Sequence, residues 1–290
     1  MDSEGRPPIA RLPVPFGVAE EMPAPPASVT GRRRGFRLNF ELDGDSMSRD
    51  RLDKILASQN IASRSEAGVM IRRGAVSVNG TIVKKADFKV DTLEDEVTVG
   101  GRVLNIRKYL YLMINKPSGV LSAARDTRAA TVVDLLPEAL KRRGLFPAGR
   151  LDKDTEGLLI ITDDGAFAHR MLAPKSHVFK QYEAVLAKPV SNQDISRFAK
   201  GLELNDMICL PAELKVLKEG SNPMVLVKIR EGKFHQVKRM FLALGNEVLK
   251  LKRVQIGALK LDDSLAPGAA RELLEEEINS IFANDSYSAI

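Results

Sequence analysis

The sequence predicts an α+β fold, in which β-hairpins are mixed with short helices, and three observations support this prediction. A two-residue turn, Asn79-Gly80, lies between short apolar runs, which is typical of a hairpin. Residues 237–244 place apolar side chains at i, i+3, i+4 and i+7, the spacing of one helix face. Strands and helices do not alternate as they would in a doubly wound parallel sheet.

The composition predicts a soluble protein with a polyanionic partner. The chain has 290 residues, 44% of them hydrophobic, which is enough for one large domain or two ordinary ones. Its net charge is +6, which favours a polyanionic partner without identifying it. There is no run of 18 apolar residues and no N-terminal signal pattern, so we expect a cytoplasmic protein with no membrane contact.

Cysteine and histidine usage predicts neither a disulfide nor a metal site. The one cysteine, Cys209, excludes a disulfide within the chain and lies in an apolar run, where we expect a packed thiol. The histidines, His169, His177 and His235, have no close pairing, so we expect no zinc.

The first 47 residues differ from the rest in composition. They contain seven of the fifteen prolines and the basic cluster 32–34 but few large aliphatic side chains. Such a segment buries too little apolar surface to offset its ordering entropy, so we predict a disordered N-terminal extension over residues 1–47.

Residues 48–107 carry the pattern of two helices followed by a hairpin. Leu52 begins an apolar run with helical spacing, and Ser63 with Glu66 forms a capping box for a second helix that ends near Gly74. The Asn79-Gly80 hairpin follows. This order resembles the S4 RNA-binding module, with the resemblance covering about residues 49–106.

Cations are interleaved with the apolar face of this segment. Residues 48–108 carry twelve basic and eight acidic side chains, a net charge of +4. The side chains predicted to form an RNA-binding face are Arg51, Lys54, Arg64, Arg72 and Arg73. Cations displayed together release counterions when they meet phosphates, so as a group they favour RNA over an ordinary solvated surface.

Residues 108–290 are predicted to form a second, catalytic domain of mixed strands and helices. The predicted strands cover residues 109–114, 179–185, 212–217 and 224–229. One predicted helix begins after Ser191 and ends at Gly201, another covers 237–244 and ends at Gly245, and a last one covers about 272–282.

The stretch from Gly149 to Gly165 is the most informative part of the chain. An acidic, glycine-punctuated loop containing Asp152 runs directly into the apolar run 158–161, which reads as a core strand. Calcium-loop spacing is also present, but residues 146–149 cannot supply the entering helix and position 12 is Asp163 rather than glutamate. A carboxylate on a tight loop against a rigid strand favours presentation to a substrate.

Five segments resemble the motifs of the RsuA family of RNA pseudouridine synthases. Residues 149–165 resemble G-R-L-D-x-x-T-x-G-L-L-x-x-T-x-D-G, residues 115–119 resemble N-K-P-x-G, and residues 180–182 resemble K-x-Y. Residues 231–241, E-G-K-F-H-Q-V-K-R-M-F, resemble the third motif, and residues 249–257 resemble the segment that carries the family's active-site leucine.

The resemblance implies a set of site residues. The catalytic aspartate matches Asp152, the motif tyrosine matches Tyr182, and the family's cation that pairs with the aspartate matches Lys238, with Arg239 as the second candidate. Leu251 matches the active-site leucine. The implied substrate-binding residues are Leu251, Arg239 and Arg150, the last of which would hold the RNA beside Asp152.

The implied reaction explains these residue types. Isomerising uridine to pseudouridine breaks the C1′–N1 bond, turns the uracil and rejoins it through C5, which requires no cofactor and no metal. A carboxylate can attack or deprotonate the ribose, and the residues leave both routes open. A cation within about 4–6 Å of Asp152 would lower its pKa by roughly 1–3 units and keep it ionised. Tyr182 offers a stacking face for the base, worth about 1–3 kcal/mol.

The resemblance also implies the substrate. The H-Q-V-K-R-M-F form of the third motif and the L-A-P-G segment at 265–268 favour 16S rRNA, at uridine 516 by the family's assignment. The alternatives are a sibling enzyme that acts on 23S rRNA and a non-catalytic S4-type RNA-binding assembly factor. We expect a monomer.

Overall fold

The computed structural model describes residues 49–283, which belong to one compact unit. The predicted N-terminal extension, residues 1–47, lies outside the described residues. None of the helices between residues 49 and 283 has the length and apolarity that a bilayer crossing requires.

The N-terminal part consists of two short helices and six short strands. Its elements are β1 (Arg49–Arg51), α1 (Leu52–Ser58), α2 (Arg64–Arg72), β2 (Val76–Val78), β3 (Thr81–Ile82), β4 (Lys89–Asp91), β5 (Val97–Val99) and β6 (Arg102–Val103). The last two β-strands pair with the hairpin in the order β3-β2-β5-β6, and β1 pairs with β4. Leu52, Leu56 and Ile71 are fully buried where α1 and α2 pack on this sheet.

The predicted local signals of this part are confirmed. The Ser63 hydroxyl accepts from the Glu66 amide, and the Glu66 carboxylate accepts from the Ser63 amide. Asn79 and Gly80 have φ values of +50° and +77°, so the strands β2 and β3 are joined by the left-handed turn that this pair favours.

The larger part contains a nine-stranded sheet with helices packed on it and a separate two-stranded sheet formed by β11 and β12. The strands of this part are β7 (Tyr111–Lys116), β8 (Phe146–Pro147), β9 (Glu156–Thr162), β10 (Lys180–Leu186), β11 (Glu203–Leu204), β12 (Met207–Ile208), β13 (Glu213–Lys218), β14 (Met224–Ile229), β15 (Val248–Ile256), β16 (Leu259–Lys260) and β17 (Ala270–Glu272). Its α-helices are α3 (Gly165–Leu172), α4 (Asn192–Lys200), α5 (Gln236–Leu242) and α6 (Glu275–Ser280), with short 3₁₀ turns at Glu138–Leu140 and Pro174–Ser176.

The sheet is mainly antiparallel, as the α+β prediction expects. Its strand order is β13-β14-β10-β15-β9-β7-β17, with β16 attached to β15 and β8 attached to β9. The parallel pairing in this sheet is between β15 and β9, where Arg253 lies opposite Gly157. It brings the end of the Asp152 loop next to a strand that lies about 100 residues later.

Both faces of the central strands are covered. Leu112 and Ile114 of β7 face one core cluster, and Met113 faces the other. Neither face of β7 is therefore turned to solvent, because each packs against helices or loops. Cys209 is 2% exposed, which confirms a packed core thiol.

The prediction of the last helix, over about residues 272–282, is wrong at the start of the helix. Residues 270–272 form β17, which pairs antiparallel with β7, and the helix begins only at Glu275. The apolar spacing from Leu273 onward fits a helix face. In the structure, however, Leu273 directly follows β17 and packs into the core there, before the helix begins.

Candidate active site

A cavity of about 600 Å³ opens on the sheet where the Asp152 loop meets β10, β15 and the start of α5. The residues of the predicted site that line it are Arg150, Asp152, Tyr182 and Leu251. It is also lined by Ser122, Lys180, Lys233, His235 and Arg253.

Backbone and side-chain hydrogen bonds hold the Asp152 loop in place. The Ser122 hydroxyl donates to the carbonyl of Leu151 at 2.8 Å and accepts from the Leu151 amide at 3.0 Å. The Asp152 carbonyl accepts from the Thr155 amide at 3.1 Å, closing a turn immediately after the carboxylate. The Asp152 backbone is therefore fixed on both sides before any substrate arrives.

Lys116 anchors the same loop from below. Its Nζ donates to the carbonyl oxygens of Pro117, Lys153 and Thr155 at 3.0, 3.1 and 2.8 Å. Burial lowers the pKa of Lys116 to about 8. The lysine of the N-K-P-x-G segment thus stabilises the aspartate loop from a fully buried position.

Gly157 allows the loop to join the sheet. Its φ is +99°, and a Cβ there would overlap the carbonyl oxygen of Arg253. Only glycine permits both this backbone conformation and the close approach of β9 to β15.

The carboxylate of Asp152 lies between two basic side chains. Lys238 Nζ is 3.1 Å from Oδ2, and His235 Nε2 is 3.4 Å from Oδ1. Lys238 Nζ also donates to Asp154 Oδ1 at 2.6 Å. Burial acts to lower the pKa of Lys238, but the hydrogen bonds to Asp154 and Asp152 outweigh it, so the pKa is raised and the ammonium stays charged.

The geometry of α5 explains why Lys238, and not Arg239, reaches Asp152. Val237, Met240 and Phe241 are buried in the core and fix the rotation of the helix. Successive residues point about 100° apart around a helix. Lys238 therefore faces the aspartate loop, whereas Arg239 forms an ion pair with Asp206.

Lys238 does not line the cavity, but Asp152 does. The ammonium therefore meets the carboxylate from outside and leaves the cavity side of Asp152 available to a ligand.

His235 is a site residue that the sequence reasoning missed. It has φ +49° and comes directly before α5, and its ring stacks on Phe234 with centroids 3.8 Å apart. Its position inside the third motif was visible in the sequence, but the left-handed conformation that turns its ring toward Asp152 was not.

Tyr182 and Leu251 lie on neighbouring strands on the same side of the sheet. Tyr182 is 7% exposed and Leu251 is 7% exposed, and both line the cavity. Arg150 is exposed at the edge of the cavity, two residues before Asp152.

Lys180 and Arg253 are two further cavity residues that the sequence reasoning did not single out. They are 8% and 5% exposed. Lys180 stands in the K-x-Y segment and Arg253 in the segment 249–257, so a motif was available for each. Nothing in the sequence indicated that the two side chains would meet.

The predicted RNA-binding cations of the N-terminal part divide into two groups. Arg51 and Arg64 form ion pairs with the buried Asp53, and Lys54 pairs with Asp50. Arg72 and Arg73, at the end of α2, are exposed and form no ion pair with another described residue.

The described residues contain no cluster of three or more histidine, cysteine or acidic side chains that could hold a metal ion. The site brings a carboxylate held by a lysine, an aromatic ring and several cations together around one cavity.

Comparison with known proteins identifies this arrangement. The RNA pseudouridylate synthase family matches residues 110–243, and the S4 domain family matches residues 50–97. An uncharacterized RNA pseudouridine synthase of Bacillus subtilis is 47% identical over 79% of this chain and 97% of its own length. The chain belongs to the RNA pseudouridine synthase family.

Other members of this RNA pseudouridine synthase family support the assignment. The ribosomal small subunit pseudouridine synthase A of Salmonella typhimurium is 42% identical, covering 80% of this chain and 99% of its own. A crystal structure of pseudouridylate synthase is 39% identical, with a TM-score of 0.56 over 80% of this chain and 99% of that chain. The protein is an enzyme with an S4 RNA-binding domain and a pseudouridine synthase domain.

Proposed function

We propose that this synthase isomerises a uridine of small-subunit ribosomal RNA, at position 516 of 16S rRNA, with Asp152 as its catalytic carboxylate. The observation that carries the proposal is the contact of Asp152 with Lys238 at the edge of a cavity lined by Tyr182. The choice of RNA rests on relatives named for the ribosomal small subunit that match 80% of this chain.

Asp152 would initiate the reaction at the ribose. Either it attacks C1′ or it removes a proton from C2′, and in both routes the C1′–N1 electron pair leaves with the uracil. Its rigid loop supports this role because a reacting group must be held near its attack position. After the uracil turns, C5 bonds to C1′. In the first route the Asp152–C1′ bond breaks as this bond forms, and in the second the proton that Asp152 took returns to C2′. The C5 proton is then removed and N1 is protonated.

Lys238 would keep Asp152 ionised, and Tyr182 would hold the base. The ammonium at 3.1 Å favours the carboxylate form. The Tyr182 ring would stack on the uracil while it turns, and Leu251 on the next strand would restrict that movement from the side. Because a stacked uridine is out of reach, the target nucleotide must be flipped out or already unpaired.

Arg150 and Arg239 would contact the RNA outside the cavity. Arg150 is exposed at the cavity edge, where a phosphate next to the flipped nucleotide would pass. Arg239 is held by Asp206, so its contribution would require that ion pair to exchange for a phosphate.

We propose that residues 48–107 dock the RNA and residues 108–290 carry out the reaction. Arg72 and Arg73 are the strongest candidates for phosphate contacts, because they are exposed and have no acidic partner among residues 49–283. Arg51, Lys54 and Arg64 would contribute after releasing their aspartates. We further propose that the enzyme acts in the cytoplasm. We also propose that it is a monomer, and light scattering on the purified protein would check its oligomeric state.

Mapping of pseudouridines in rRNA from cells lacking this protein tests activity and target together. We expect loss of one pseudouridine in 16S rRNA, restored by the wild-type protein and not by Asp152→Asn. Loss of a 23S rRNA pseudouridine instead would contradict the target. Restoration by a folded Asp152→Asn protein would contradict the role of Asp152.

A further inference from the structure

Two buried cations stand together in the cavity without an acidic partner. Lys180 and Arg253 line the cavity and are 8% and 5% exposed. Such side chains are seldom buried unless they are paired. The acidic side chain of the cavity, Asp152, is engaged by Lys238 and His235 instead.

The hydrogen-bonding capacity of Arg253 is largely unused. Its Nε donates to the carbonyl of Leu158 at 2.8 Å, which fixes the guanidinium. Its buried Nη2 has no hydrogen-bond partner among the described residues. A buried donor without a partner is costly, so its retention at a cavity wall favours a partner that arrives with the substrate.

Lys180 is similarly uncompensated. Burial lowers its pKa to about 8, and the neighbouring charge of Arg253 acts in the same direction. No acidic or hydrogen-bonding group among the described residues counters either effect. A cation perturbed by burial at the wall of a cavity indicates a functional position.

The strand register places both cations around Tyr182. Lys180 and Tyr182 are two positions apart on β10, so they point to the same side and lie roughly 6–7 Å apart along the strand. Arg253 lies directly opposite Tyr182 on β15. A uracil stacked on the Tyr182 ring would therefore have cations beside its edges.

We propose that Lys180 and Arg253 form the site that binds the carbonyl oxygens of the target uracil and stabilises the base as it leaves. This inference rests on the proposed function. When the C1′–N1 bond breaks, its electron pair moves to the base and is shared by N1, O2 and O4. Fixed donors aimed at atoms that gain charge stabilise the transition state more than the bound uridine.

The burial of the pair favours a base over a phosphate. A flipped uracil enters the cavity, whereas the RNA backbone passes over the protein surface. Arg150 and Lys233 line the same cavity but are exposed, which suits phosphate contacts. The site thus has an exposed group of cations for the backbone and a buried pair for the base.

Atomic substitution in the RNA tests this proposal. The wild type, Lys180→Met and Arg253→Met would each convert an rRNA fragment carrying the target as uridine, 2-thiouridine or 4-thiouridine, under single-turnover conditions with saturating enzyme. Sulfur is a weaker acceptor than oxygen, so we expect the wild type to disfavour at least one thio substrate by about tenfold. Each variant should react about 100-fold more slowly with uridine and should lose that preference for oxygen. Sulfur also changes the leaving-group ability of the base, but this change is the same for the wild type and both variants. It therefore cancels when their oxygen preferences are compared.

Two controls separate the alternatives. Lys250→Met removes an exposed cation of β15, the strand that also carries Arg253. It should leave both the rate and the oxygen preference unchanged. A methylphosphonate on the 5′ side of the target removes one phosphate charge and should slow the reaction. This loss of rate should be as large in Lys180→Met as in the wild type, and smaller in Lys233→Met.

The proposal would be overturned if the wild type shows no preference for oxygen, or if folded Lys180→Met and Arg253→Met retain that preference. It would also be overturned if these two variants lose the methylphosphonate effect instead of the oxygen preference. Lys180→Arg should recover part of the rate, which loss of folding in Lys180→Met alone would not explain. Should the wild type convert no uridine at all, the proposed function fails rather than this assignment.

Discussion

Lys238 Nζ lies 3.1 Å from Asp152 Oδ2, although the two residues are 86 positions apart in the chain. The same ammonium holds Asp154 at 2.6 Å. The neighbouring Arg239 points away and pairs with Asp206. The structure thus separates two adjacent cations that the sequence left as alternatives.

The first prediction concerns this ion pair. Lys238→Met removes the ammonium that lies 3.1 Å from the carboxylate and favours its ionised form. Activity should therefore fall, and fall most at the acid end of the profile, where the carboxylate depends most on a nearby cation. A pH–rate profile of single-turnover pseudouridine formation measures this change.

Three matched variants make that prediction specific. Lys238→Arg should keep much of the activity because the charge remains, and Asp154→Asn should keep it because Lys238 still faces Asp152. Arg239→Met should not move the acid limb, since its partner is Asp206. A wild-type profile for Lys238→Met together with a shifted one for Arg239→Met would show that the assignment is reversed.

The second prediction concerns the charge of Lys180, whose pKa is lowered to about 8. If the protonated amine binds the leaving uracil, the rate should decline as the pH rises through about 8. Lys180→Arg should remove that decline, because arginine stays charged. The other charged or titratable groups at this cavity are Arg150, Asp152, Tyr182, Lys233, His235 and Arg253, and all are retained in this variant.

Rates between pH 6 and 9 on one RNA substrate would decide the second prediction. An unchanged alkaline decline in Lys180→Arg would assign the titration to another group.

The third prediction concerns Lys116 and the stability of the aspartate loop. Lys116→Met removes the donor to the carbonyls of Pro117, Lys153 and Thr155, of which Lys153 keeps its hydrogen bond from the Gly119 amide. Because the Pro117 and Thr155 acceptors lose this partner, we expect a loss of about 2–4 kcal/mol in the free energy of unfolding. Urea denaturation followed by circular dichroism measures it, with the exposed Lys153→Met as the control. Equal stability of Lys116→Met and the control would mean that these hydrogen bonds do not anchor the loop.

The fourth prediction concerns Gly157. Gly157→Ala places a methyl group against the Arg253 carbonyl at a φ of +99°, so β9 and β15 must separate. We expect a destabilisation of at least about 2 kcal/mol. Gly100→Ala, also at positive φ but with open space around it, isolates the conformational part of the effect. Thermal melts that rank Gly100→Ala as the more destabilising change would contradict the overlap.

The fifth prediction concerns docking of the RNA. The double variant Arg72→Ala, Arg73→Ala should weaken rRNA binding and reduce the slope of log affinity against log salt by about one to two, because up to two phosphate contacts are lost. Arg51→Ala should change the slope less, since Arg51 is already paired with Asp53. Titrations at several salt concentrations measure the slopes; an unaltered slope in the double variant would place the RNA contact elsewhere.

Much of the local structure was predictable because its signals are short in range. The Ser63–Glu66 box, the Asn79-Gly80 turn and the helix from Ser191 to Gly201 each depend on residues a few positions apart, and the structure confirms all three. The strand after Asp152 was predictable from its unbroken apolar run, which suits a strand covered on both faces. Leu273 misled the prediction of the last helix, because an apolar residue that directly follows a strand fits a helical spacing equally well.

The arrangement of the site depends on long-range packing, which carries no local pattern. The rotation of α5 selects Lys238 over Arg239, and it is set by the burial of Val237, Met240 and Phe241 in the core. The order of strands in the sheet brings Lys180 and Arg253 together beside Tyr182. Motifs in the sequence therefore named the aspartate and its loop, whereas the sheet decided which cations stand beside it, because residues far apart in the chain meet only when the strands that carry them pair.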